Sequence, residues 1–316
     1  MKKFGLLKYQ ENERNIGDYV QSIAARGFLP SVDKYIGREE LDVYNEENVD
    51  MIMNGWFMHQ PKHWPPSDKI SPLFVSFHIN ESVVDILTSE KSIEYLKKHE
   101  PIGCRDEYTV SVLKEKGVDA YFTGCLTLTL EKGNFYSEQH KLDVIVCDPF
   151  WSTYSNAHLF MSDLNIVQKL LRVPYYWYKR VSFRRLIGRL IPPNQKNVSF
   201  FTHFLDKNCS TEEKFEKAEE LLKYYASSKL VITGRIHVAL PCLAFGTPVL
   251  FVNPEKDTSR FPGIADLFTQ ITIKELKEMS KEDLWGKYKF ENIKNSGKHL
   301  ELRGKLIDIC QKFING

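Results

Sequence analysis

The sequence predicts an α/β protein made of two doubly wound domains that face each other across a cleft. Three observations carry the prediction. Short apolar, β-branched runs of strand length alternate with helical patterns along both halves of the chain. A polar segment, Glu131–His140, interrupts the alternation, and a new strand follows it. The chain has 316 residues, enough for two domains of ordinary size. The boundaries read as 1–137 for the first domain and 138–316 for the second.

In the first half, Phe4–Leu7 reads as a strand, followed by a polar turn that holds Asn15, Gly17 and Asp18. From Tyr19 to Phe28 the apolar residues Val20, Ile23, Ala24 and Phe28 recur at helical spacing. Val49–Met53 and Leu73–Ile79 are the next strands. Between them lies NGWFMHQPKHWPP, which contains Trp56, His59, His63 and Trp64. It is too irregular for a helix and too long for a tight turn, so it reads as a loop of the kind that carries function. Ser82–His99 patterns as one amphipathic helix. Ile102–Cys104 is a strand, RDEYTVSVLKEKG a turn and a helix that stops at Gly117, and Ala120–Phe122 a further strand.

In the second half, Leu142–Cys147 and Val198–Phe204 read as strands and Thr211–Ala226 as a helix. Ser227–Asn253 then reads as strand, turn, helix, turn and strand. Leu230–Thr233 is the first strand, Val238–Phe245 the helix, and Pro248–Val252 the second strand. Gly246 and Pro248 punctuate the helix end, and Pro241 is placed in a tolerant first turn. A final helix spans about Ser296–Phe313. One segment breaks the alternation. Leu164–Gln195 has seven Lys/Arg, no acidic residue and several aromatics, and Tyr176, Phe183, Ile187 and Leu190 can share one side of a helix. Val173–Arg189 therefore reads as a surface for anionic lipid head groups.

Composition narrows the classes. Net charge is +2, so no global basic field draws nucleic acid to the chain. Six cysteines are scattered without a CxxC pair, which suits reduced, buried thiols. The N-terminus turns polar after seven residues and no apolar run reaches bilayer length, so the expectation is a cytoplasmic protein with peripheral contact to the inner membrane face. There is no GxSxG elbow, P-loop or GxGxxG, and His59 with His63 in a Pro-containing loop is no metal signature.

The residues able to do chemistry stand at predicted strand ends, where ligands bind in α/β sheets. Gly234, Arg235 and His237 sit between a strand and a helix N-terminus, which favours an anion. Arg235 adds a planar donor set and His237 a group that moves protons near neutral pH. Gly103, Arg105 and Asp106 form a second such turn, and the loop with His59, followed by a strand carrying His78, a third. Two arginines with histidines suit a small, multiply charged anion.

Three blocks are then identified together. Asn15–Ala24 (NIGDYVQSIA), Ile102–Leu130 (IGCRDEYTVSVLKEKGVDAYFTGCLTLTL) and Ser228–Val252 resemble, in order, segments of the polysaccharide pyruvyltransferase family. The resemblance implies a GT-B-like fold of two Rossmann-like domains, with the C-terminal helix returning to the first. It implies phosphoenolpyruvate as co-substrate and no cofactor. Pyruvyl would pass to a sugar of a surface polysaccharide or its lipid-linked precursor, as a ketal, with release of phosphate. By motif, Arg235 and His237 become catalytic and donor-binding. Gly234, Arg105, His59 and His78 line the donor side, and Asp18, Trp56 and Trp64 the acceptor side. Cys125 stands where some relatives carry an Asp and is read as packing. The competing readings are a GT-B glycosyltransferase that uses a nucleotide sugar and a non-catalytic glycan-binding assembly protein.

Overall fold

The computed structural model describes residues 2–150, 164–205, 209–253 and 261–316. They build two all-parallel sheets. The first contains β1 (Phe4–Lys8), β2 (Lys34–Gly37), β3 (Val49–Phe57), β4 (Ile70–Ile79), β5 (Ile102–Cys104) and β6 (Ala120–Phe122), in the order β2-β1-β3-β4-β5-β6. The second contains β7 (Val144–Cys147), β8 (Val198–Phe201), β9 (Leu230–Thr233), β10 (Val249–Asn253) and β11 (Thr269–Thr272), in the order β11-β10-β9-β7-β8. In each sheet the chain first steps towards one edge and then builds outwards in the other direction. The reversal lies between β1 and β3 in one sheet and between β7 and β9 in the other. At such a switch point neighbouring connections leave on opposite faces, so a crevice opens outside the carboxyl ends of the two strands.

The described helices are α1 (Gly17–Arg26), α2 (Val84–Leu87), α3 (Glu90–Lys97), α4 (Glu107–Glu115), α5 (Ile166–Leu190), α6 (Thr211–Ser227), α7 (Ile236–Phe245), α8 (Ile273–Glu278), α9 (Lys281–Lys287) and α10 (His299–Asn315). Several starts are fixed locally. Asn165 and Ser210 form capping boxes with Gln168 and Glu213 for α5 and α6. Gly246 closes α7 in the left-handed conformation, where a side chain would be strained.

One hydrophobic core runs from the first sheet through α1, α6 and α7 to one face of the second, and includes Tyr19, Phe77, Leu222, Val238 and Phe251. A second core fills the opposite face of the second sheet under α5, α8 and α9. Polar ties reinforce the shared core. Arg26 of α1 pairs with Glu219 of α6. The buried Lys214 of α6 donates to the carbonyls of Gln10 and Glu11, at 3.2 and 2.6 Å, beyond the end of β1. Helix α10 packs on the first sheet's side, with Leu302 beside Gly124 and with Leu306 and Cys310 in the shared core.

The structure departs from the sequence reading at several elements. Ser82–His99 is not one helix. It breaks at Thr88 and Ser89, where hydroxyls bond the backbone locally: Thr88 Oγ1 to the Val84 carbonyl and Ser92 Oγ to the Ile86 carbonyl, both at 2.8 Å. Strand β3 runs past Met53 to Phe57, through an irregularity at Met53/Gly55 where Gly55 has φ +104°. Trp56 therefore belongs to a strand, not to the loop. The edge strands β2 (KYIG) and β11 (TQIT) carry too few apolar residues to announce themselves. Pro241 lies in the second turn of α7, where it removes the helix bond that the His237 carbonyl would otherwise accept.

Candidate active site

The two switch points meet. Asp148 follows β7 directly, with φ +39°. Its Oδ2 accepts from Arg235 Nε at 2.6 Å and from the His203 backbone N–H at 2.9 Å. Arg235 follows β9 and is the N-cap of α7. Its Nη1 donates to Asn15 Oδ1 at 3.2 Å, and Asn15 lies in the loop that leaves β1. The same loop is stitched to the second sheet by backbone. Ile16 N–H donates to the His203 carbonyl at 3.0 Å, Leu205 N–H to the Arg14 carbonyl at 2.9 Å, and Asn15 pairs with Phe204 as an antiparallel bridge. One guanidinium thus joins the carboxyl edges of both sheets.

Glycine makes this approach possible at two positions. A Cβ on Gly234 would stand 2.5 Å from the Pro149 carbonyl oxygen, so no larger residue fits between β9 and α7. A Cβ on Gly17 would come within 3.3 Å of His237 Nδ1 and 3.4 Å of His203 Nδ1. Both imidazoles therefore lie against the N-terminus of α1. The N-cap residue Arg235 makes no side-chain cap bond to α7, and the positive end of the helix dipole lies at the switch point. His203 is fully buried, and Tyr225 OH is 3.0 Å from its Nε2 and 3.3 Å from Cys147 Sγ. Burial, and then the Arg235 charge, hold His203 well below its usual pKa, so it is neutral.

A second arm reaches the same loop from the end of β3. Glu13 Oε1 accepts the Asn15 N–H at 2.9 Å, and its Oε2 lies 3.4 Å from Nε2 of the exposed His59. Burial raises the Glu13 carboxyl, but bonds from His59 and the Asn15 N–H outweigh it and hold the group below the usual range. Behind it, Glu39 accepts the backbone N–H groups of His59 and Gln60 at 3.2 and 2.7 Å. Arg38, 2% exposed, lies between the rings of Tyr9 and Trp56 and pairs with Glu39 and Asp18.

Arg105, His78 and Asp106 form a separate buried set at the end of β4 and β5. Asp106 caps α4 through Thr109 N–H at 2.9 Å and accepts from His78 Nδ1 at 2.6 Å. Burial raises its carboxyl, yet His78, followed by Arg105, brings the pKa below the ordinary value. Arg105 is 1% exposed, and its Nη2 has no hydrogen-bond partner among the described residues. Cys125 beside it is buried, and burial raises its thiol more than the Arg105 charge lowers it, so it is a protonated packing residue.

The structure brings Gly234, Arg235 and His237 together and links His59 to them through Glu13 and Asn15. It keeps His78 and Arg105 together at Asp106. It does not place the proposed acceptor residues on an open surface. Trp64 is packed among Phe57, Phe74, Phe77 and Tyr95 in the core. Asp18 is occupied by Arg38 and Gln21, both at 3.0 Å, and Trp56 is covered by Arg38 and His59. Sequence reading does not single out Asp148, Glu13 or the bridging role of Asn15. The strand-end rule that found Arg235 applies equally to Asp148, one residue past VIVC.

A model of the polysaccharide pyruvyl transferase family matches residues 15–256. The chain belongs to that family. Its matched span opens on Asn15, the acceptor of the Arg235 bond, and takes in every residue of both switch points from there to His237. No curated protein matches the chain. Among solved structures, a functionally uncharacterised protein from Klebsiella pneumoniae subsp. pneumoniae NTUH-K2044 is similar. It is 14% identical, with a TM-score of 0.46 over 85% of this chain and 92% of that one. As a polysaccharide pyruvyl transferase, the protein has its charged groups where two parallel sheets present their carboxyl edges to each other.

Proposed function

We propose that this chain transfers the pyruvyl group of phosphoenolpyruvate to a sugar of a surface polysaccharide or its lipid-linked precursor, in the cytoplasm, on a GT-B-like pair of Rossmann-like domains. The observation that carries the reading is the Arg235 guanidinium, held by Asp148 and Asn15 at the junction of both switch points and the start of α7. Phosphoenolpyruvate carries a phosphate and a carboxylate close together. A fixed guanidinium and a helix N-terminus replace the water that solvates them. By family motif, Arg105 is the candidate for the other anionic group, and its buried Nη2 has no hydrogen-bond partner among the described residues.

Two acceptor hydroxyls form two new bonds to C2, and the bond from C2 to the phosphate oxygen breaks. One hydroxyl proton ends on C3, converting methylene to methyl, and the other leaves with phosphate. His237, beside Gly17 and at the first turn of α7, is the group placed to carry these protons. His203 stays neutral below Arg235 and supports the site rather than adding a second positive charge. His59, the exposed end of the Glu13 arm, is the first-domain histidine nearest to this chain of contacts.

Thermal denaturation with added ligand tests the reading. Phosphoenolpyruvate stabilises the wild type and fails to stabilise Arg235→Gln. Stabilisation by a nucleotide sugar alone would point to glycosyl transfer instead.

A further inference from the structure

Helix α5 is longer than its place in the fold requires. It returns the chain from β7 to the parallel neighbour β8, so it runs antiparallel to them. Those strands have four residues each, about 13 Å of length. The helix has 25 residues, about 38 Å. Among the described residues, its packing centres on the part from Tyr176 to Leu190. Tyr176, Ile187 and Leu190 are buried, and Phe183 stacks on Phe150 at 4.5 Å. Arg189 Nη1 donates to the carbonyls of Leu276 and Lys277 at 2.9 and 2.8 Å. The Trp285 indole donates to the Arg189 carbonyl at 2.9 Å. Its antiparallel course sends the N-terminal part towards the edge at which the strands end.

The N-terminal part is apolar on its outer side. Ile166, Leu170, Leu171 and Trp177 are between 64% and 75% exposed, and Val173 and Tyr178 extend the patch. Positions 166, 170, 173 and 177 fall on one helix face. A contiguous apolar face of this kind marks an interaction site. The residues around it say which kind. Leu164–Gln195 has seven Lys/Arg and no Asp or Glu, and Arg172, Arg184 and Arg185 are exposed. A second copy of this face would bring cations against cations with no carboxylate between them. An anionic bilayer satisfies both halves: the acyl boundary receives the aliphatic and indole side chains, and head-group phosphates receive the guanidinium groups. No described helix is long and apolar enough to cross a membrane, so the contact is one of lying on the surface.

We propose that α5 docks the protein on an anionic lipid surface through this face. The docking face is distinct from Arg235 and His237, so binding can be read without turnover. The full chain is sedimented with vesicles of phosphatidylglycerol and phosphatidylcholine, and in parallel with phosphatidylcholine alone. The mixed vesicles bind it at least about tenfold better, and raising the salt releases it. Arg184→Glu/Arg185→Glu and Leu170→Glu/Trp177→Glu, all at exposed positions, each reduce partitioning at least about tenfold. The proposal is overturned by absence of binding at low salt or by equal binding to both vesicle types. It is equally overturned if both double variants bind as the wild type does, or if Leu170→Glu/Trp177→Glu turns a stable dimer into a monomer.

Discussion

Arg235 Nε and Asp148 Oδ2 lie 2.6 Å apart across the point where the second sheet reverses direction. The pair is 12% and 8% exposed, so Asp148 neutralises the guanidinium and fixes it with Nη1 on Asn15 Oδ1. Asp148→Asn keeps the shape and removes the charge. It is expected to lower kcat/KM for phosphoenolpyruvate at least about tenfold, roughly 1.4 kcal/mol. Asp148→Ala also strands a mostly buried charge and costs about 3 kcal/mol in urea denaturation. Unchanged kinetics in Asp148→Asn would remove this residue from the positioning of Arg235.

Gly17 is a sharper probe of the junction than its size suggests. Alanine there puts a methyl 3.2 Å from Asn15 Oδ1 and 3.3 Å from His237 Nδ1, tighter than most contacts of a Cβ, with His203 Nδ1 at 3.4 Å. Gly17→Ala is expected to fold and to lose most turnover, because Asn15, which holds Arg235, and His237 must give way. Gly304, in α10, has nothing within 4 Å of its added Cβ. Gly304→Ala is expected to raise stability by about 0.5–1 kcal/mol with activity intact. The pair is read by steady-state rates and urea midpoints.

Much of the scaffold was legible because parallel strands buried on both faces leave continuous apolar runs, as in Leu230–Thr233 and Val144–Cys147. The short edge strands β2 and β11 were not, since an edge strand needs little apolar surface. The Ser82–His99 helix was misjudged because period alone does not weigh hydroxyls that bond the backbone. The strand-end positions of Arg235, His237 and Arg105 were legible in the sequence. It could not show that Asn15 reaches Arg235, a contact spanning both sheets, nor that Trp64 is consumed by the core around Phe77. Long-range pairings of this sort have no local pattern.

The neutral His203 sets a pH window. Its folded pKa lies well below the value of 6.5 for a free histidine. Above about pH 6.5 both folded and unfolded chains leave it neutral, and its contribution to stability is complete. As pH falls below that value the unfolded chain takes a proton that the folded site refuses, so stability declines. His99 and His299 shift in the same direction, mainly through burial. His203→Gln is therefore expected to remove part of the slope of urea midpoint against pH between about 6.5 and 5. An unchanged slope would show that His203 titrates normally.

Arg38 supports the loop that carries His59. Its guanidinium lies 4.9 Å from the Tyr9 ring centroid and 4.8 Å from that of Trp56, with Asp18 at 3.0 Å and Glu39 at 2.8 Å. Arg38→Ala leaves two buried carboxylates without their cation and is expected to destabilise the fold by about 3 kcal/mol or more. Denaturant titration measures this. A loss below about 1 kcal/mol would show that water reaches the cluster.

The central claim is that Arg235 and His237 hold and convert phosphoenolpyruvate. The most direct measurement is phosphate release from phosphoenolpyruvate by the purified chain, with and without an isolated lipid-linked glycan, together with the mass of that glycan afterwards. The account predicts release that requires the glycan, a pyruvyl adduct on it, and loss of both in Arg235→Ala and His237→Ala with the fold retained. Acceptor-independent release, or near-wild-type turnover in either variant, would contradict it.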